Sequence, residues 1–179
     1  SSNLNIIAAV NACVDDGASV INLSLDGDAP DPTLRRAIES AHDQGVVVVV
    51  AAGNDGANLD DEPHYPASWS DDVITVSAAA VTSPARSSSV MYPVFSNYGS
   101  AVALSAPGVA VVSDRLGGGT VSLSGTSMSA PHVAGAAAIF LSRHPLTSPD
   151  DVKRALVSHA EDVNHVSLHP EKFLDVRAF

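Results

Sequence analysis

One cysteine, nine lysines and arginines, and aromatic residues at only 4% are what this chain of 179 residues has least of. Cys13 alone cannot close an intrachain disulfide or build a cysteine metal cluster. Within a helical pattern it is expected as a buried structural thiol. The few basic residues are scattered against twenty acidic ones, and the net charge is −11. That balance excludes the basic face that nucleic-acid binding requires. An acidic surface keeps the chain soluble and slightly favours basic substrates. The longest apolar run, Gly45 to Ala52, is far too short to cross a bilayer, so no membrane partner is expected. No secretory signal is visible. The chain starts at Ser1 without methionine, so an upstream part is expected to have been removed or left out, and the missing signal says nothing about export.

Hydrophobic residues at 45% against 16% charged describe a globular chain with one core. Apolar residues at helical spacing (Leu4, Ile7, Ala8, Val10, Val14) predict a first helix over residues 4–15, closed by Gly17. Ala18 to Leu25 reads as a buried strand. The turn residues Asp26 to Pro32 follow, and then a helix over Thr33 to Gln44 with Leu34, Ala37, Ile38 and Ala41 inward. Val46 to Ala52 is a continuous β-branched run, the mark of a parallel strand covered on both faces. Strand, helix, strand in this order is a βαβ unit, and both strands end on one edge, where open α/β sheets bind ligands. Two backbone segments with a groove between them can receive an extended peptide. Ser24, Leu25 and Asp26 are expected on one wall, and Ala51, Ala52 and Gly53 on the other.

The loop Asp55 to Asp72 carries Asp60-Asp61-Glu62 and His64. Oxygen-rich loops can hold calcium, but this spacing matches no defined site, so a solvated acidic loop is expected and no metal ligand is assigned. Further on come a strand at Val73 to Ala80, a polar loop with Ser87-Ser88-Ser89, and short strands at Ala101 to Ser105 and Val109 to Ser113. Gly117-Gly118-Gly119 reads as a hairpin turn rather than a phosphate cradle, because no lysine follows and a strand comes next. A helix to about Arg143 is stopped by Pro145. A last helix is capped by Ser148 with Pro149 at its first position and Asp151 three after the cap. The tail from Glu161 shows no clear pattern.

Leu123-Ser124-Gly125-Thr126-Ser127-Met128-Ser129-Ala130-Pro131-His132-Val133-Ala134-Gly135 organises the rest. It reads as a strand end, a glycine turn and the start of a small-residue helix, with Ser127 at the turn. Locally, Ser127 is as well read as a helix cap as a nucleophile facing the helix's free N–H groups. Pro131 is expected early enough in the helix to cost little. Gly135, Ala134 and the alanines after them are expected to pack closely against neighbouring elements.

The stretch Gly125 to Gly135 resembles the nucleophile motif of the subtilisin-like serine proteases, the subtilases. Val20-Ile21-Asn22-Leu23-Ser24-Leu25 resembles that family's substrate-binding strand, and Ala51-Ala52-Gly53-Asn54 its oxyanion-hole strand end. Tyr65-Pro66-Ala67, Phe95-Ser96-Asn97-Tyr98-Gly99 and Ala106-Pro107-Gly108-Val109 also fit. The resemblance covers roughly residues 4–160 and implies a three-layer α/β/α fold with a mainly parallel sheet, residues 1–179 forming part of one catalytic domain. It implies an endopeptidase acting through an acyl-enzyme on Ser127, with the Asn54 side-chain amide as oxyanion donor. The family has glycine where Asp26 stands, so the rim of the specificity pocket is narrowed or charged. The stretch around His64 borders that pocket and supplies no base.

No cofactor is implied. Some members bind calcium through carbonyls near Val73 and a downstream carboxylate, but Ala103 stands where that carboxylate is expected. Polypeptide substrates, an inhibitory propeptide and secretion are what the resemblance implies for partners and place. The family's upstream aspartate motif and histidine-glycine-threonine motif do not occur. His132, five residues after Ser127, is turned roughly 140° away on the same helix. The expectation is therefore a portion of a protease, inactive by itself for want of a base, with its N-terminal part as a necessary partner. The reading from a different class is a non-catalytic module that binds peptides through the same groove.

Overall fold

The computed structural model describes residues 3–81, 90–163 and 168–177. The chain folds as α1 (Asn3–Asp15), β1 (Val20–Leu23), α2 (Pro32–Asp43), β2 (Val47–Ala51), β3 (Ile74–Val81), β4 (Val90–Met91), β5 (Val102–Pro107), β6 (Val111–Asp114), β7 (Thr120–Leu123), α3 (Thr126–Arg143), α4 (Pro149–His159) and β8 (Lys172–Phe173). The stretch Ser87-Ser88-Ser89 lies outside the described residues.

The main sheet runs β1-β2-β3-β5-β8, parallel throughout, with β4 antiparallel on β3. β2 sits inside it and is buried along its whole length, as its β-branched run requires. Its side chains alternate between two cores. Val48 and Val50 join Ile21, Leu23, Leu34, Ile38 and Trp69 on the side of α1 and α2. Val47 and Val49 join Val76, Leu104, Val133, Val152 and Leu156 on the side of α3 and α4. The result is the expected three-layer α/β/α arrangement. α2 begins on an Asp31 cap whose carboxylate accepts from the N–H groups of Thr33 and Leu34 at 2.8 and 3.2 Å. α4 begins on Ser148, whose hydroxyl accepts from the Asp151 N–H at 3.2 Å.

Several expectations need correction. β1 is the end strand of the sheet, so its burial alternates and Asn22 is exposed instead of covered. In α1 only Val10 is buried. Leu4, expected inward, is 74% exposed, Ala8 is exposed, and Cys13 is half-buried. Among the described residues α1 packs mainly on α2, with Ile6, Ile7, Cys13 and Val14 partly buried beside Val10. Gly135 does not serve close packing: a Cβ there would meet nothing within 4 Å. The close contacts come from Ala130, Ala136 and Ala137. The tail is not patternless. β8 pairs with β5, and Glu161 bridges Phe173 through a pair of backbone hydrogen bonds. β6 and β7 form an antiparallel hairpin closed by Gly117 to Gly119, as read from the sequence.

Candidate active site

The carboxyl ends of β1 and β2 and the start of α3 meet at one edge of the sheet. β1 runs out into Ser24 and Asp26, β2 into Gly53 and Asn54, and α3 brings Ser127 one residue after Thr126. The start of α3 is buried up to Thr126, which is fully enclosed, while Ser127 is half-buried.

Ser24 and Ser127 are bonded directly. Ser24 Oγ donates to the Ser127 carbonyl at 2.9 Å and accepts from Asn22 Nδ2 at 2.8 Å. Ser127 Oγ donates to the Ser24 carbonyl at 3.4 Å. Pro131 explains the first of these. It lies inside α3, one helical step of four beyond Ser127, and not in the first turn where the sequence placed it. Having no N–H, it leaves the Ser127 carbonyl without its helical donor. The Ser24 hydroxyl supplies that donor from across the sheet.

Asn54 is fixed from the same turn. Its Oδ1 accepts from the Thr126 N–H at 2.8 Å and from Thr126 Oγ1 at 3.1 Å. Two donors on Oδ1 settle which end of the carboxamide is oxygen, and so which end carries the free N–H groups. Thr126 Oγ1 in turn accepts from the Gly53 N–H at 3.2 Å. Thr126 does not stand out in the sequence, yet it ties both strand-end residues to the turn that carries Ser127.

A second residue missed by sequence reasoning is Asn97, fully buried. Its Oδ1 accepts from the N–H groups of Asp55 and Ala57 at 2.9 Å each, and its Nδ2 donates to the Ala52 carbonyl at 3.0 Å. Its own N–H donates to the Gly53 carbonyl at 3.1 Å. Asn97 thus joins the two ends of the turn from Ala52 to Ala57, whose middle is held by Thr126. Gly53 holds φ +104°, and a Cβ there would lie 2.3 Å from Asn97 Nδ2, so only glycine fits.

Of the other expected groove residues, Leu25 is half-buried against the α1–α2 core. Ala51 and Ala52 are buried to 1% and 0% exposure in the two cores. The main chain of Ala52 is engaged by Val76 and Asn97. Gly53 is buried with these alanines, while Ser24, Asp26 and Asn54 are exposed along the edge. His64 is drawn to this edge by an antiparallel bridge between Gly27 and Tyr65, with backbone hydrogen bonds of 2.9 and 2.8 Å. Its Nδ1 lies 3.1 Å from Asp26 Oδ2. Asp60, in contrast, turns away to Ser100, whose hydroxyl and N–H hold its carboxyl below the usual carboxylate range.

Beside Ser127, Val111, Val112, Leu123, Met128 and His132 line a pocket of about 360 Å³. His132 Nδ1 pairs with the Met128 carbonyl at 2.8 Å, within its own helix. Among the described residues no histidine bonds to Ser127. The Val73 carbonyl, where the resemblance raised calcium, accepts from Lys153 Nζ at 3.0 Å, and the Ser70 carbonyl accepts from the same ammonium at 2.5 Å. Burial pushes the Lys153 ammonium below its ordinary pKa. With an ammonium on these carbonyls and no side-chain carboxylate at Ala103, this set does not fit a divalent ion.

The family model described as the Subtilase family matches residues 1–172. Subtilisin DY of Bacillus licheniformis is 37% identical over 174 residues, which is 97% of this chain and 61% of the relative. A cold adapted subtilisin-like serine proteinase of solved structure superposes with a TM-score of 0.83 at 31% identity, over 97% of this chain and 61% of that one. The prenylagaramide maturation protease PagA gives 0.81 at 30% identity, over 98% of this chain and 65% of its own. The chain thus spans less than two thirds of the length of each of these proteins.

Proposed function

We propose, from the premise that this chain belongs to the subtilase family, that it carries the substrate-binding and nucleophile half of a serine endopeptidase. Ser127 attacks the scissile carbonyl. The oxyanion that forms is received by the Asn54 Nδ2 and by the Ser127 N–H, which stands in the first turn of α3 where no helical acceptor exists. The observation that carries this reading is the Asn54 carboxamide, gripped by its oxygen alone through Thr126, with its N–H groups left without a partner among the described residues. A side chain held this way needs no reorganisation when charge develops beside it.

A serine hydroxyl attacks only as its proton leaves, and the Ser24 carbonyl that now receives it is no base. The reading therefore assigns the base, and the aspartate that orients it, to residues outside this chain. Substrates are polypeptides lying between Ser24 and Gly53. The family resemblance supports a propeptide and secretion for the complete protein. Among the described residues no helix is long and apolar enough to cross a membrane.

The test is labelling with a fluorophosphonate probe, read by intact mass, on this chain and on the complete gene product. Labelling at Ser127 in the complete product alone supports the reading. Labelling in neither leaves a peptide-binding module in its place. Labelling of this chain by itself overturns the assignment of the base.

A further inference from the structure

Three carbonyls in the loop from Tyr65 to β3 find donors close at hand. Those of Pro66 and Trp69 accept from the N–H groups of Trp69 and Asp72 at 2.9 and 3.0 Å. That of Ala67 accepts from Thr75 Oγ1 at 2.7 Å. Two more carbonyls, of Ser70 and Val73, take their donor from far along the chain. Lys153 Nζ donates to them at 2.5 and 3.0 Å, across 83 and 80 residues of sequence. Lys153 stands on α4, whose Val152 and Leu156 are fully buried in the core shared with α3. The helix is thus fixed on the sheet, and the ammonium arrives already aimed at the loop.

One cation gathering two carbonyls of one loop is the arrangement by which a bound ion folds a chain around itself. Burial opposes the charge on Lys153, while the carboxylates of Asp150, Asp71 and Asp72, which line the same crevice, favour it. The space left in that crevice is about 10 Å³, room for about one water molecule. A metal ion with its own waters has no place beside the ammonium.

The loop held in this way also braces the groove. Its first residue, Tyr65, pairs with Gly27 through backbone hydrogen bonds of 2.9 and 2.8 Å, and Gly27 follows Asp26 at the groove edge. The rings of Tyr65 and Trp69 lie with centroids 5.3 Å apart. Ser70 and Val73 are thus joined to Gly27 through one short, internally bonded segment. We propose that Lys153 is the resident cation of this loop: its ammonium plays the part of a bound metal ion and positions the segment that supports the groove edge through Tyr65. Being tethered, this cation is not lost to dilution or to a chelator. Lys153 is a positioning residue, acting on substrate only through that segment, and this part rests on the endopeptidase reading above.

The experiment uses the complete gene product. Lys153→Met keeps the apolar stem and deletes the charge; it is expected to lower Tm by about 5 °C, and Lys153→Ala somewhat more. n-Propylammonium carries the atoms that Lys153→Ala removes. At matched ionic strength it should raise the Tm of that variant and leave the wild type unchanged, while n-propanol, its neutral counterpart, should rescue neither. A Lys153→Met protein as stable as the wild type, or equal rescue by propanol, overturns the proposal. Cleavage of a peptide nitroanilide tests the groove. KM should rise severalfold in Lys153→Met with kcat little changed, and propylammonium should restore KM in Lys153→Ala. An unchanged KM beside a lowered Tm overturns the positioning role. If no peptide is cleaved while the rescue of Tm persists, the endopeptidase reading fails and the resident cation stands.

Discussion

Ser24 and Ser127 exchange hydrogen bonds: each hydroxyl donates to the other's carbonyl, at 2.9 Å from Ser24 and 3.4 Å from Ser127, across 103 residues of sequence. The shorter bond repairs a defect that Pro131 makes in α3. This predicts coupling between Ser24 and Pro131, which no short-range pattern reveals. Ser24→Ala should cost about 1 kcal/mol, because the Ser127 carbonyl loses its donor. In a Pro131→Ala background the helix supplies its own N–H, and the same substitution should cost clearly less. Urea unfolding of the four proteins closes the cycle. Equal costs in both backgrounds would refute the coupling.

The Asn54–Thr126 pair predicts a split between rate and binding in the complete gene product. Asn54→Ala should lower kcat by about 10²–10³ with KM little changed, the loss known for removing the corresponding side-chain donor from a subtilisin. Thr126→Val keeps the amide but releases its aim, and should lower kcat by a smaller factor. Thr126→Ser, which retains both hydrogen-bonding roles of the hydroxyl, should restore most of it. Steady-state kinetics on the three variants decides. A change confined to KM would place Asn54 in ground-state binding instead.

Gly53 faces two constraints at once, φ +104° and the Asn97 amide 2.3 Å from any Cβ. Gly53→Ala should destabilise the fold by about 1–3 kcal/mol, with the midpoint of chemical unfolding as the measurement. A loss below a few tenths of a kcal/mol would show that Asn97 can move aside.

Tyr92 predicts an alkaline limit. Burial raises its pKa from 10.0 to about 12, with the nearby Glu171 adding to the rise and the Ser105 hydroxyl opposing it. The folded state thus holds a proton that the unfolded chain gives up first. The stability from this group is complete below pH 10 and is lost as pH climbs through about 12. In Tyr92→Phe that part of the decline should vanish, at the expense of the hydroxyl's contacts with Ser105 and the Glu171 carbonyl. Thermal melts of both proteins across this window make the comparison. Parallel curves would assign the alkaline loss elsewhere.

Legibility in the sequence follows burial. β2, covered on both faces, carries a run that admits one reading, and the inward face of α2 is readable residue by residue. β1 reads as buried because its sequence is apolar, but Asn22 marks an end strand, and only the sheet order reveals it. β4 and β8 have two residues each, too few for any period to register. The nucleophile turn is legible as a motif. What fastens it is not, since Thr126, Asn97 and Ser24 act through partners 40 to 103 residues distant. The acidic loop draws the eye to Asp60, Asp61 and Glu62. The carboxylates near His64 are instead Asp55 at the start of that loop and Asp26 and Asp28 from the turn after β1, which the Gly27–Tyr65 bridge brings beside it.

Asn97 grips its loop by the backbone: the carbonyl of Ala52 and the N–H groups of Asp55 and Ala57. None of these bonds depends on the side chain at residue 55. Residue 55 can therefore vary over evolutionary time without unseating Asn54 beside it. A substitution at residue 55 changes the charge beside Asn54 while the fastening of the turn stays as it is.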